Sequence, residues 1–175
     1  MNKSASMLVA TLRRQVTVRP IRGVILLGFI LAVGSLLLSG MTYAGLSLIL
    51  PLSAWGDSAG KQIFGQSDWV IFFVGVLYIP LLETLLAQVL PIEIIRRVGG
   101  GSVACIVVSA LLFGGGHYLN GGLAHGLTTL SGGLVFAFAY VFARPHGFWA
   151  AFISACTAHI VHNFFLLFVA IRLFS

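Results

Sequence analysis

Long apolar stretches, separated by short polar or basic segments, run along most of the chain. A polar, basic segment covers residues 1–22, and the apolar stretches lie near residues 24–52, 69–95, 103–118, 123–143 and 148–171. These runs are continuous, whereas the strands of membrane barrels alternate apolar and polar residues. The pattern predicts an all-α fold, a polytopic membrane helix bundle with about five transmembrane helices that forms one domain over residues 23–175.

The first apolar stretch is unusually long. Residues 23–56 contain no charged side chain. A cleavable signal has only roughly 7 to 15 apolar residues, and one helical span needs ~20. We therefore interpret this stretch as a single anchor that stays attached, with a tilted helix or with its Pro51 end in the interface.

Composition supports a membrane protein. Hydrophobic residues make up 59% of the chain and charged residues only 8%, whereas a soluble domain has about 25% charged residues. Lipid must therefore solvate much of the surface. The net charge of +6 comes without a basic stripe interleaved with aromatic residues, so we expect membrane lipid and no nucleic acid as partner.

The distribution of basic residues predicts the orientation. If the N-terminus is cytoplasmic, eight of the ten lysines and arginines face the cytoplasm: Lys3, Arg13, Arg14, Arg19, Arg22, Arg96, Arg97 and Arg144. Only Lys61 and Arg172 would lie on the far side. Because short cytoplasmic loops are enriched in basic residues, we expect the N-terminus to be cytoplasmic. The protein would then be a multi-pass protein of the cell (inner) membrane.

Glu83 is the residue least compatible with lipid. It lies in the middle of the second apolar stretch, with no basic residue within one or two helical turns. A carboxylate there costs several kcal/mol unless it faces a cavity or a partner. The two interpretations are a functional site and a protonated glutamate that only hydrogen-bonds another helix.

Other polar residues lie at a similar depth. Glu83, His117 and His159 are each about 20 Å from the predicted cytoplasmic flank, at ~1.5 Å per helical residue. His159 and Asn163 are four residues apart and therefore share a helix face, and His162 lies at the edge of that face. Groups on three helices at one depth indicate one buried site.

These residues carry a family resemblance. The chain has F-x-x-x-H at Phe113 to His117 and H-x-x-x-N at His159 to Asn163. With Glu83 before them, the motifs resemble those of the CPBP family (CAAX-protease and bacteriocin-processing enzymes) of intramembrane proteases. The resemblance covers roughly residues 68–167.

The first motif departs from the family pattern E-E-x-x-x-R. Thr84 replaces the second glutamate and Gln88 replaces the arginine, so an acid and a base are lost together. A neutral swap keeps the charge balance in a low-dielectric site. We predict that Thr84 and Gln88 hydrogen-bond each other where the family has an ion pair.

The resemblance implies an intramembrane endopeptidase of the glutamic type acting on a membrane-bound peptide or protein. Glu83 and His117 would position and deprotonate a water, while His159 and Asn163 would stabilise the oxyanion. Thr84, Gln88 and Phe113 would support these groups. No cofactor is favoured. The competing hypothesis is a zinc site formed by Glu83, His117 and His159, but it leaves no second carboxylate nearby as base.

Two other classes of function remain open. A non-catalytic CPBP-like protein would act in bacteriocin immunity or as a scaffold, and Glu83 would then be dispensable. A proton-coupled carrier would use Glu83 and the histidines as a relay, although transporters usually have repeated halves and this chain has none.

Two local patterns give further expectations. Glu93 and Arg97 are four residues apart at a span end, which predicts an ion pair between them. The run Gly114-Gly115-Gly116 before His117 either packs closely against another helix or weakens its own helix near the site.

Overall fold

The computed structural model describes residues 20–56 and 65–170 together with residues 7, 10, 11 and 14. Most of the segment 1–22, as well as Lys61 and Arg172, therefore lies outside the described residues. Every secondary-structure element in the described part is helical. The predicted all-α fold is confirmed.

Four helices form the bundle: α1, Pro20–Ile49; α2, Asp68–Arg97; α3, Ser102–Ala143; and α4, Phe148–Phe165. Short 3₁₀ turns follow α1 and α3, at Leu52–Ala54 and Arg144–His146, and a π-helical turn, Leu166–Ala170, follows α4. Within the described residues, four helical stretches are long and apolar enough to cross a membrane. The chain is a multi-pass membrane protein.

Helix α3 is a hairpin of two limbs. A straight helix of its 42 residues would be about 60 Å long, twice the hydrocarbon thickness. Gly122 interrupts it with φ 77° and ψ −178°, a conformation that is essentially restricted to glycine. The limbs, residues 102–121 and 123–143, fold back on each other, since Gly114 packs against Gly126 and Leu130. They occupy the third and fourth predicted spans, so the described helices agree with about five crossings.

Two π-helical segments interrupt the α-helical winding of α2. Its segments are alternately α-helical and π-helical: Asp68–Val70, Ile71–Tyr78, Ile79–Glu83, Thr84–Val89 and Leu90–Arg97. Pro80 and Pro91 lie just after the two π-helical segments. Proline has no amide hydrogen and its ring clashes with the carbonyl one turn earlier, and a wider turn relieves that clash.

Helix α1 runs parallel to α4 and closes one side of the bundle. Gly28 lies against Thr157 so closely that a Cβ there would be 2.5 Å from the threonine Cβ. Further along both helices in the same direction, the Ser35 hydroxyl lies 2.7 Å from Nδ1 of His162. Small residues thus let the two helices approach closely, as is common between membrane helices.

The two ends of the bundle are held together by different contacts. At one end, Arg144 forms a two-pronged ion pair with Glu93, with distances of 2.6 and 3.1 Å, and Tyr140 donates to the same carboxylate at 2.9 Å. At the other end, the chain after α1 contacts the α3 turn, where Gly56 packs on Gly121. The predicted Glu93–Arg97 pair is wrong, because the Glu93 carboxylate faces the second limb of α3 instead.

The outer surface is largely apolar. The interior is formed by large side chains such as Tyr140, Phe136, Leu27 and Ile92, each almost fully buried. Many large hydrophobic side chains on every helix are nevertheless exposed, far more than a soluble monomer shows. This surface matches a lipid environment.

Candidate active site

Glu83 lies at the centre of the site. It ends the short α-helical segment after Pro80, between the two π-helical segments of α2. Its Oε1 lies 3.6 Å from Nε2 of His117, and its Oε2 lies 3.4 Å from Nε2 of His159. One carboxylate therefore stands between two imidazoles from two other helices, and the structure brings these three predicted residues together.

His117 is held by its own helix. Its Nδ1 lies 2.9 Å from the backbone carbonyl of Phe113. A carbonyl oxygen only accepts hydrogen bonds, so Nδ1 must carry the hydrogen. In the neutral ring, the lone pair of Nε2 therefore points towards Glu83. The side chains of His117 and Glu83 are 22% and 29% exposed, so a small molecule can reach both.

His159 is enclosed by aromatic rings. Its side chain is only 2% exposed. The ring of Phe136 stacks on it with centroids 4.4 Å apart, and Phe113 meets it edge-on at 5.3 Å. Phe113 also contacts the His117 ring at 4.5 Å. This phenylalanine therefore packs against the rings of both histidines.

Asn163 lies further along the same face of α4 but contacts α2. Its Nδ2 donates to the Gly75 carbonyl at 3.0 Å. The amide of Ile79 bonds five residues back to Val74, and the next amide in that pattern would belong to Pro80, which has no hydrogen to donate. The proline thus leaves the Gly75 carbonyl available, and Asn163 binds it.

The predicted hydrogen bond between Thr84 and Gln88 does not form. The Thr84 hydroxyl lies 3.3 Å from Nδ1 of His159. Gln88 is fully buried, and neither atom of its amide has a hydrogen-bond partner among the described residues. The reason is that Thr84 faces α4, so its hydroxyl is taken by the histidine.

His125 was not among the predicted site residues. Its ring lies 5.2 Å from that of His117. The sequence does contain a signal, because His117 and His125 lie at nearly equal distances on either side of the Gly121-Gly122 turn. Equal spacing from the turn of an antiparallel hairpin brings residues face to face.

His162 turns away from the other histidines. It is buried, its Nδ1 pairs with Ser35 of α1, and its ring meets the edge of Phe136 at 5.4 Å. Phe136 also stacks on His159, so it is shared by both rings. His162 therefore joins α1 to α4, and the described contacts connect it to Ser35 rather than to Glu83.

The zinc hypothesis needs three donors directed at one point. Within residues 20–56 and 65–170, no group of three His, Cys, Asp or Glu side chains is arranged to hold a metal ion. Glu83, His117 and His159 are close to one another but do not form such a ligand set.

Comparison with known proteins identifies the family. Residues 65–165, more than half of the chain, match the family described as type II CAAX prenyl endopeptidase Rce1-like. No curated protein and no solved structure matches the chain significantly. The matched region contains α2, α3 and α4 with Glu83 and both of its histidine partners. The chain therefore belongs to the type II CAAX prenyl endopeptidase Rce1-like family of CAAX-type intramembrane proteases.

Proposed function

We propose that this protein is an intramembrane endopeptidase that hydrolyses a peptide bond in a membrane-associated peptide or protein, with Glu83 and His117 activating the water. The observation that carries the proposal is the Glu83 carboxylate between the Nε2 atoms of His117 and His159, at 3.6 and 3.4 Å. A carboxylate that served only to join helices would need no second imidazole, and a carboxylate within a membrane span is by default a functional group.

The first step is deprotonation of water. Glu83 Oε1 and the His117 Nε2 lone pair face each other, so a water beside them donates a hydrogen to each and keeps its own lone pair for attack. The water oxygen bonds to the substrate carbonyl carbon, and Glu83 takes the proton. General base catalysis of this kind contributes roughly 10²–10⁴-fold in rate.

The second step is stabilisation and collapse of the tetrahedral intermediate. The Nε2–H of His159 faces the Glu83 carboxylate until Glu83 is protonated, and it then donates to the oxyanion together with an N–H of Asn163. Asn163 uses one amide hydrogen for the Gly75 carbonyl and keeps the other. The C–N bond then breaks, and protonated Glu83 returns its proton to the leaving amine. Preorganised donors of this type are worth about 10²–10³ each in kcat.

We also propose that hydrolysis needs no metal ion. Glu83 serves as the base here, and as a metal ligand it would leave the site without a second carboxylate for that role. Treatment of the purified protein with 1,10-phenanthroline should therefore leave the cleavage rate unchanged. A loss of activity that added Zn²⁺ restores would contradict this part of the proposal.

The test in cells compares proteomes. Membrane and secreted fractions are compared between cells with wild-type protein and cells with Glu83→Gln, and new peptide termini are mapped. We expect one or a few precursors to accumulate in the mutant and their processed termini to vanish. Glu93→Gln is the matched control, because it removes a carboxylate from the same helix but disturbs only contacts with Arg144 and Tyr140, not those of Glu83.

The alternative is a non-catalytic membrane protein acting in immunity or as a scaffold. The loss of the family's acidic and basic pair at Thr84 and Gln88 is the observation that favours it. In that case, the two proteomes match although deletion of the protein still changes the cells, and the catalytic proposal fails.

A further inference from the structure

Either ring nitrogen of His159 can carry the hydrogen of the neutral imidazole. Its two ring nitrogens face different partners, with Nε2 3.4 Å from Glu83 Oε2 and Nδ1 3.3 Å from the Thr84 hydroxyl. A neutral imidazole carries only one N–H, so one nitrogen donates and the other accepts. The ring is almost fully buried between Phe113 and Phe136, so water cannot readily satisfy a nitrogen left without a partner.

The charge state of Glu83 determines which nitrogen must donate. An ionised carboxylate only accepts hydrogen bonds, so Nε2 must carry the hydrogen while Glu83 is a base. Nδ1 then has a lone pair that needs a donor, and Thr84 is the hydrogen-bonding side chain facing it. A hydroxyl meets this need because it can donate its hydrogen.

We propose that Thr84 is a positioning residue whose hydroxyl donates to Nδ1 and thereby holds His159 as the Nε2–H tautomer, with its N–H directed at the reacting centre. The inference rests on the proposed function, since it assigns a role within that reaction. A carboxylate at position 84 could only accept from Nδ1, and would leave the neutral ring without an N–H towards Glu83. Thr84 therefore favours a neutral His159 ring with its hydrogen on Nε2. An acidic residue at this position would favour the Nδ1–H tautomer or the protonated, cationic ring.

Other polar groups near this ring do not compete for the same role. The Nδ1 atoms of His117 and His162 already have partners, which are the Phe113 carbonyl and the Ser35 hydroxyl. Cys156 is a further buried polar residue of α4. A thiol is a weak partner, so the imidazole takes the hydroxyl hydrogen.

Two conservative variants of the full-length protein test the inference. Thr84→Val keeps the branched shape but removes the hydroxyl, and we expect kcat to fall about 100-fold, as for loss of an oxyanion donor, with KM little changed. Thr84→Ser restores the hydroxyl and should recover most of kcat. Thr42→Val, which removes an exposed threonine hydroxyl on α1, is the matched control and should cleave like wild type.

A second readout does not depend on activity. In protein labelled with ¹⁵N-histidine, the His159 signals are assigned by their loss in His159→Gln. We expect the ¹⁵N shifts of the Nε2–H tautomer in wild type and a changed tautomer ratio in Thr84→Val. An Nδ1–H tautomer in wild type, or wild-type kcat in Thr84→Val, would overturn the inference. If wild type itself cleaves nothing, the proposed function fails while the tautomer measurement still stands.

Discussion

Glu83 meets two histidines because a carboxylate inside a membrane must find polar partners. The cost of an isolated charge at that depth is several kcal/mol, and the partners come from the first limb of α3 and from α4. This convergence could be predicted from the sequence, since three polar residues at one depth on three helices have few other polar partners within the membrane.

The finer contacts of the same residues could not be predicted. Asn163 binds the Gly75 carbonyl because Pro80 leaves that carbonyl available within a π-helical segment, and the hydropathy pattern carries no information on such a change of winding. Thr84 and Gln88 fail to pair for a related reason. Which way a small polar side chain faces depends on helix rotation, and a shift of one residue turns it by about 100°.

Replacing Gln88 with an apolar residue of the same length should stabilise the protein. Its amide is fully buried and has no hydrogen-bond partner among the described residues, and such a group costs about 1–3 kcal/mol. Gln88→Met keeps the length of the side chain without the polar atoms. We expect its thermal unfolding in lipid nanodiscs to shift upwards.

Gln66→Met is the control for the same chemical change at an exposed position, and it should unfold like wild type. A lower unfolding temperature for Gln88→Met would show that the Gln88 amide is satisfied in the folded protein and contributes to its stability.

At the scale of elements, the sequence predicts the turn within α3 but not the ion pair that joins α2 to its neighbour. The segment Asn120-Gly121-Gly122 predicts a turn, and the break does fall at Gly122. The sequence predicts the ion partner of Glu93 on the same helix, but the partner is Arg144, in the turn that follows the second limb of α3. Local spacing identifies candidates for pairing, whereas tertiary packing selects among them.

The three glycines before His117 should differ in their tolerance of alanine. A Cβ at Gly114 would be 2.5 Å from Leu130 Cβ and 2.8 Å from the Gly126 carbonyl oxygen, whereas a Cβ at Gly115 meets nothing within 4 Å. Gly114→Ala must push the two limbs of α3 apart and shift His117. We expect it to lower both the unfolding temperature and the cleavage rate.

Gly115→Ala is the matched control. It should be neutral or stabilising, by up to about 1 kcal/mol, because alanine favours the helix. Equal effects of the two substitutions would contradict close packing of the limbs at Gly114 and would favour the view that the glycines act by weakening the helix.

At the scale of the molecule, the bundle has a basic end and an opposite end. Arg96, Arg97 and Arg144 lie towards the first, and the segment after α1 meets the α3 turn at the second. Because basic residues favour the cytoplasmic side, we propose that the end with the arginines is cytoplasmic. The N-terminus of α1 would then also face the cytoplasm.

Cysteine labelling tests this orientation. Ser53 and Ser102 are both exposed and lie at opposite ends of the bundle, while both native cysteines are buried. A membrane-impermeant maleimide applied to intact cells should label Ser53→Cys and should label Ser102→Cys only after permeabilisation. The reverse pattern would show that the orientation is inverted.

We propose Glu83 as the base of a peptide hydrolysis reaction. The most direct measurement is the initial rate at which purified full-length protein in lipid vesicles cleaves a precursor found by terminus mapping. We expect Glu83→Gln to lower that rate by about 10²–10⁴-fold, with Glu93→Gln remaining active and with unchanged binding of the precursor. Cleavage by Glu83→Gln at the wild-type rate would contradict the account.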